Sequence, residues 1–382
     1  SVRFNMAGSF STAGEMPVFR LMAQIRDFRP DKLKLSDKYV NTAYSLNLGA
    51  DFTGNSIDDI EGKIEIDSLS CVSENVENNY FLPSFKLIAS KKDDGKTVDI
   101  KSDFFNGQIV GNYSYKTITS SIVKVAYRYI PSFFEEDNKL IRQETENNFS
   151  MQFRMDNSDF LNKVLKLPVD INMPATLNGY IDDYKSKVYI NANIPELKLN
   201  DKKYESTTLL FENPQEELHC HVRTNMLMKK GAMVNVSLNA KADNDTLSTI
   251  AFWGNNTSVT YSGEISAVTA FSKNKDNGKL HTDILLNSSQ IVLNDTVWNV
   301  HPSEISLDKD SIEIKDFLFE HGKQYIKING RIGKTTSDSC IVNLQGVNLL
   351  YVMDMIQFNA VKFEGNANGR VFISNALSKP VL

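Results

Sequence analysis

Cysteine is scarce in this chain. Cys71, Cys220 and Cys340 stand too far apart to suggest a disulfide framework, and they leave the redox compartment open. No apolar run approaches the roughly 18 residues that a bilayer-spanning helix needs. Charge of one sign is not in excess. Lys and Arg number 42 against 47 Asp and Glu, for a net −5 with the basic residues scattered, so nothing here forms an electrostatic footprint for nucleic acid. No Pro-rich or Ser-rich linker separates autonomous domains. A Gly-x-Ser-x-Gly elbow, a phosphate-binding glycine loop and a dinucleotide fingerprint are all missing, which removes the commonest motif-bearing enzyme classes. The chain starts at Ser1 without Met and stops at Lys379-Pro-Val-Leu382. It reads as an excised middle piece, with any signal or anchor expected outside it.

What remains is ordinary protein with one dominant pattern. The composition, 41% hydrophobic, 10% aromatic and 23% charged, is that of a folded, soluble chain. Strict alternation runs through it, as in Val98-Asp-Ile100-Lys-Ser-Asp-Phe104, Val234-Asn-Val236-Ser-Leu238-Asn-Ala240 and Ile326-Lys-Ile328-Asn-Gly330-Arg-Ile332. Period 2 puts the apolar residues on one face of a strand and the polar ones on the other. Turn-forming clusters separate the strands at Lys92-Asp-Asp-Gly95, Asp243-Asn-Asp245, Asn274-Lys-Asp-Asn-Gly278 and Asp308-Lys-Asp310. The pattern predicts antiparallel sheet with one solvated side.

A strand, short helix, glycine-hinged strand module recurs. Its clearest copy is Cys340–Gly346, Val347–Ile356 and Gln357–Gly365. A second is Phe149–Met155, Ser158–Leu165 and a strand to Gly179. A looser third is Phe19–Ile25, Pro30–Leu35 and a strand to Gly54. Repetition implies an elongated array built over the whole chain, 1–382, with approximate repeats 1–145, 146–339 and 340–382. Helices are expected near 131–140, 157–166 and 348–356. In the second, Asp156 or Ser158 is a candidate cap, and Phe160, Leu161, Val164 and Leu165 form the apolar face.

The residues offer little chemistry. His219-Cys220-His221 places two imidazoles with Arg223 on one strand face and Leu218, Cys220 and Val222 on the other. Without a third ligand the pair reads as two solvated histidines. Asp243-Asn-Asp245 lacks the later Gly and Glu of a calcium loop and reads as a turn. Trp253 and Trp298 read as half-buried core positions. No catalytic residue, cofactor or metal is expected, and the chain is read as a non-enzyme. The apolar faces can close as a sandwich, or stay open as a long sheet folded into an apolar groove. Alternation alone does not separate the two.

The stretch Val297-Trp-Asn-Val300, Ile305-Ser-Leu307, Ile312-Glu-Ile-Lys-Asp-Phe-Leu-Phe319 and Tyr325-Ile-Lys-Ile-Asn-Gly330 resembles the TamB family of the AsmA-like superfamily. There a Trp-bearing strand precedes an Ile-x-Ile-x-x-Phe strand and an Ile-x-Ile-x-Gly strand. Phe363-Glu-Gly-Asn-Ala-Asn-Gly-Arg-Val371 and the closing Pro380-Val-Leu382 are similar to its glycine-paired strand and repeat boundary. Similarity is best over 282–382 and fainter over 19–69 and 149–190. The family's anchoring helix and its C-terminal region are not recognisable here. The resemblance implies a repeating β-groove and a periplasmic bridge anchored in the inner membrane outside this segment. It also implies phospholipid or another acyl lipid as cargo and an Omp85-type outer-membrane protein as partner. The residues expected to line the groove are Ile312, Ile314, Phe319, Ile326, Ile328 and Ile332. Two other readings use the same strands: a scaffold for outer-membrane protein assembly by strand pairing, and a tandem β-sandwich acting as adhesin or carbohydrate-binding module.

Overall fold

A computed structural model describes the chain apart from residues 1, 93–94, 136–137, 201, 229–231, 256–257, 276, 335–337, 349–364 and 375–382. Strand accounts for 65% of it and helix for 11%, so the chain is all-β with a few short helices, as the alternation predicts. It divides into two compact units, Ser1–Val125 with Lys139–Asn213, and Ala126–Asn138 with Pro214–Leu382.

The first unit contains β1 (Arg3–Ser11), β2 (Val18–Phe28), β3 (Thr42–Thr53), β4 (Glu61–Ser73), β5 (Tyr80–Lys92), β6 (Gly95–Ser102), β7 (Phe105–Asn112), β8 (Asn148–Met155), β9 (Val169–Asp170), β10 (Ala175–Asp182), β11 (Lys187–Leu199) and β12 (Lys202–Glu212). The second contains β13 (Leu218–Leu227), β14 (Met233–Asp243), β15 (Thr246–Asn255), β16 (Tyr261–Lys273), β17 (Leu280–Leu286), β18 (Ser289–Leu293), β19 (Thr296–Val300), β20 (Ser303–Asp308), β21 (Ser311–His321), β22 (Gln324–Gly333), β23 (Ser339–Asn348) and β24 (Asn366–Ser374). Within each unit the described ladders are antiparallel and join mostly sequential neighbours. The repeat boundary at 145/146 falls inside the first unit, where β7 pairs directly with β8 across it. The boundary at 339/340 falls within β23.

Registers keep the two sheet faces distinct. In β14, Val234, Val236, Leu238, Ala240 and Ala242 stand opposite Met226, Thr224, Val222, Cys220 and Leu218 of β13. They also stand opposite Asn255, Trp253, Ala251, Thr249 and Leu247 of β15. Directly opposed residues share a face, so almost every position in this row is apolar. Two strands of this unit are broken in the middle. β17 and β18 pair in turn with the two halves of β16, while β20 and β19 pair with the two halves of β21. Two of the hairpin turns have both central residues at positive φ: Asn244 (47°) with Asp245 (57°), and Asn294 (50°) with Asp295 (58°). Asn and Asp tolerate that conformation, which matches strand twist. Asp243-Asn-Asp245 is therefore a hairpin turn.

The helices correct the sequence reading in four places. The longest, α1 (Ile118–Tyr129), was not expected. Its five β-branched residues before Ala126 favour strand. Burial of Ser121, Val125 and Tyr129 at spacing four shows the helical face instead. Near 131–140 there is one 3-10 turn, Pro131–Phe133, and then the short α2 (Lys139–Arg142). In the second repeat copy a π-turn, Phe160–Val164, replaces an α-helix, and neither expected side chain caps it. Ser158 Oγ accepts from Ile171 N (2.7 Å) and donates to Val169 O (2.8 Å), closing the loop on itself, while Asp156 accepts from Arg154. In the looser copy, Pro30–Leu35 makes only a turn, ended where Lys34 adopts φ +56°. The helix expected at 348–356 lies outside the described residues from 349 onward. Among the described residues no helix is long and apolar enough to cross a membrane.

Candidate functional site: the apolar sheet face

All six residues expected to line a groove lie on one face of the second unit. Ile312 stands opposite Ile332, Phe319 opposite Ile326, Ile314 opposite Gly330, and Ile328 opposite Phe317. Simple alternation would have put Phe319 on the reverse side from Ile312 and Ile314. A bulge between Ile314 and Phe317, with Asp316 at φ +55°, shifts the parity by one and returns both phenylalanines to the apolar face. The adjacent charges Lys315-Asp316 are the sequence signal for it, since two consecutive polar residues break a period of 2. The same face continues through Ile305 and Leu307 of β20 on one side and Val342 and Leu344 of β23 on the other. These four were not among the residues expected to line the groove.

Exposure along this face is graded. Ile305, Leu307, Ile312, Ile314, Ile326, Ile328, Ile332, Val342 and Leu344 are all half-buried. Inward positions of a closed sandwich would instead be shut off from solvent. The exception is Phe319, whose ring stacks on Trp298 at 4.8 Å within a buried cluster that includes Ile291 and Val300. Phe319 therefore shares the apolar face but is closed off from solvent by its neighbours, the indole among them. Trp298 is only 2% exposed, more deeply buried than the half-buried position expected of it. Trp253 is half-buried and lies over Gly263, where an added Cβ would sit 2.4 Å from the indole ring. At another point of this face Phe271 packs against Phe133 of the 3-10 turn (ring centroids 5.4 Å). That turn is held by Asp245, which accepts from Ser132 N (2.7 Å) and Ser132 Oγ (2.9 Å).

The first unit has the same construction. Leu21, Ala50 and Ile64, then Leu87, Ile100 and Gly107, follow one another across β2 to β7 in register. Where these strands meet the 156–171 segment, Phe160 and Val164 pack on Leu69, Cys71, Leu82 and Phe104. Phe160 stacks on Phe104 at 4.8 Å, and Tyr44 donates to Val164 O at 3.2 Å. At the opposite strand ends Tyr113 packs on Phe149 (5.7 Å), and α1 is pinned beside it by Asn147, which donates to Ser121 Oγ at 2.7 Å.

The titratable groups on these faces are pushed toward their neutral forms. Burial raises the Cys71, Cys220 and Cys340 thiols and the Tyr44 and Tyr113 phenols. Burial, with the Asp159 carboxylate nearby, pushes Tyr80 up to about 12. The polar faces hold the charges. His219 meets Glu217 (3.3 Å), His221 meets Asn239 Oδ1 (2.8 Å), and Lys241 meets Glu217 (2.6 Å). Among the described residues no cluster of His, Cys, Asp or Glu has the make-up of a metal site. The arrangement offers a wide apolar surface, uncharged and partly open to solvent.

No family model, no curated protein and no solved structure matches this chain.

Proposed function

We propose that the chain is a non-enzymatic segment that shields lipid acyl chains, part of a bridge that carries phospholipid between the inner and outer membranes. The observation that supports this reading is the half-buried row of Ile, Leu, Val and Phe that continues from strand to strand without an intervening charge. Exposing an acyl tail to water costs ~0.8 kcal/mol per methylene, so a tail of about 16 carbons faces on the order of 10 kcal/mol. A continuous apolar floor removes most of that cost with no chemistry. Uniformity also matters, because a deep local well would trap the lipid, and neighbouring aliphatic side chains of similar size provide a level surface. The resemblance of 282–382 to the TamB family supports the same reading. With it come a periplasmic location, an inner-membrane anchor and an Omp85-type partner.

Photocrosslinkers at Ile314, Ile326 and Ile328 test the proposal, with Glu313 and Lys327 on the reverse face as controls. The protein is incubated with phospholipid vesicles and the labelled lipid is quantified. Strong labelling from the three isoleucine positions and little from the other two is expected. Equal labelling from both faces would sink the reading.

A further inference from the structure

We propose that two matched leucine-lysine-leucine tips of the first unit dock on the surface of a bilayer that carries anionic headgroups. This contact is independent of any lipid held on the apolar face. One tip, Leu33-Lys34-Leu35, joins β2 to β3, and the other, Leu165-Lys166-Leu167, joins β8 to β9. Both end a turn in the same way. Lys34 has φ +56° and Lys166 has φ +54°. The leucine that follows donates its N–H back to the start of the turn, Leu35 to Pro30 O and Leu167 to Leu161 O, each at 2.9 Å. That left-handed position is where chains usually place glycine or asparagine. A lysine there gains nothing for the fold. The leucines on either side gain little, since Leu33, Leu35, Leu165 and Leu167 are 47%, 66%, 38% and 40% exposed. Grouped exposure of this kind marks an interaction site, whereas single scattered apolar residues do not.

The two tips belong to one end of the sheet. Tyr44 of β3 packs its ring edge-on against Tyr39 of the first loop (6.0 Å), and its hydroxyl donates to Val164 O, beside the second tip (3.2 Å). Charge selects the partner. The tips themselves carry only positive charge, and among the described residues Lys32, Lys34 and Lys166 form no ion pair. Of the carboxylates in the same two loops, Asp31 accepts from Asn41 N (3.1 Å) and Asp159 pairs with Lys163 (3.2 Å), which leaves Asp37. The adjoining loop adds Glu77 and Glu74, the latter accepting from Asn41 Nδ2 at 2.8 Å. Leucine alternating with lysine suits a bilayer interface. The aliphatic groups enter the acyl boundary, while each lysine stem lies along it and holds its ammonium among the phosphates. A bilayer also needs no matching pocket for each of four leucines on two separate loops.

Flotation of the chain with vesicles of mixed phosphatidylcholine and phosphatidylglycerol reads the outcome. The wild type is expected to float with the mixed vesicles and to bind phosphatidylcholine alone about fivefold less tightly or worse. Leu35→Ser with Leu167→Ser should weaken binding by about tenfold or more. Lys34→Asn with Lys166→Asn should weaken binding to the mixed vesicles by about tenfold as well. Melting of that variant should stay the same or rise, because asparagine adopts the left-handed conformation more readily than lysine. A role confined to the fold would move melting and leave binding alone. A wild type that ignores the mixed vesicles would overturn the proposal and leave the tips to an acidic protein surface. Equal binding to phosphatidylcholine alone would overturn it too. So would full binding by either double variant, because another face of the chain would then hold the vesicles.

Discussion

Asp316 shows how much a single residue decides here. Its positive φ absorbs one extra position, and everything after it changes face. Glycines act at the same scale. Gly62 has φ +146°, and a Cβ there would lie 2.0 Å from Asp51 O. Gly62→Ala should therefore cost at least about 2 kcal/mol, from backbone strain plus the clash, and urea denaturation will show it. His281 on the polar face makes a pH-dependent contact. Its Nδ1 lies 3.0 Å from Asp308, and that hydrogen bond, with the Asp283 charge beside it, raises the imidazole above its ordinary 6.5. The contribution is complete below 6.5 and is lost as pH rises through the higher folded value. Asp308 is lowered by the same bond, so its part holds above 3.8 and is lost as pH falls through the folded value. Solvent screening keeps the whole effect below about 1 kcal/mol. Thermal melts should show stability declining as pH rises above about 6.5, with a flatter profile in Asp308→Asn.

At the scale of the element, the segment 156–171 is a closed loop laid on the apolar residues of the first unit. Ser158 ties its two ends together, Val169 and Asp170 pair with Leu199 and Lys198 of β11, and Phe160 and Val164 pack on the apolar residues. Phe160→Ala removes the ring that stacks on Phe104 and meets Tyr80 edge-on at 6.1 Å. A loss of about 2 to 3 kcal/mol is expected, under the range for fully buried phenylalanines because Phe160 is half-buried. Urea titration gives the magnitude. Faster hydrogen exchange in 158–171 than in the adjoining strands would show that the loop loosens first. The apolar face read from the sequence for this segment was half right. Phe160 and Val164 point at the sheet, whereas Leu165, the residue that ends the π-turn, is exposed.

At the scale of the whole chain, the amphipathic faces separate an open groove from a closed sandwich by their response to charge. Ile328→Arg places a guanidinium at a half-buried position, where the long side chain can reach solvent. Folding should be reduced by no more than about 2 kcal/mol while lipid labelling from neighbouring positions falls. In a sandwich core the same charge would be buried without a partner and would cost several kcal/mol, comparable to the stability of a domain. A melting experiment that finds Ile328→Arg unfolded would therefore refute the open face.

The alternation of residues such as Val234 to Ala240 determined by itself that this chain is strand-rich, antiparallel and two-faced, because a period of 2 is a local property of the backbone. It also placed Ile312 with Ile314, and Ile326 with Ile328 and Ile332, on one face of their own strands, since that needs no information beyond each strand's alternation. Only the tertiary structure decided the rest. Helix α1 was hidden by its β-branched residues until burial of Val125 and Tyr129 revealed its face. The side on which Phe317 and Phe319 lie depended on a bulge, and the stacking of Phe319 on Trp298 depended on β19 pairing with β21 rather than with its sequence neighbour β20. Which part of an apolar face stays half-open is settled by what the chain lays over it, and periodicity carries no record of that.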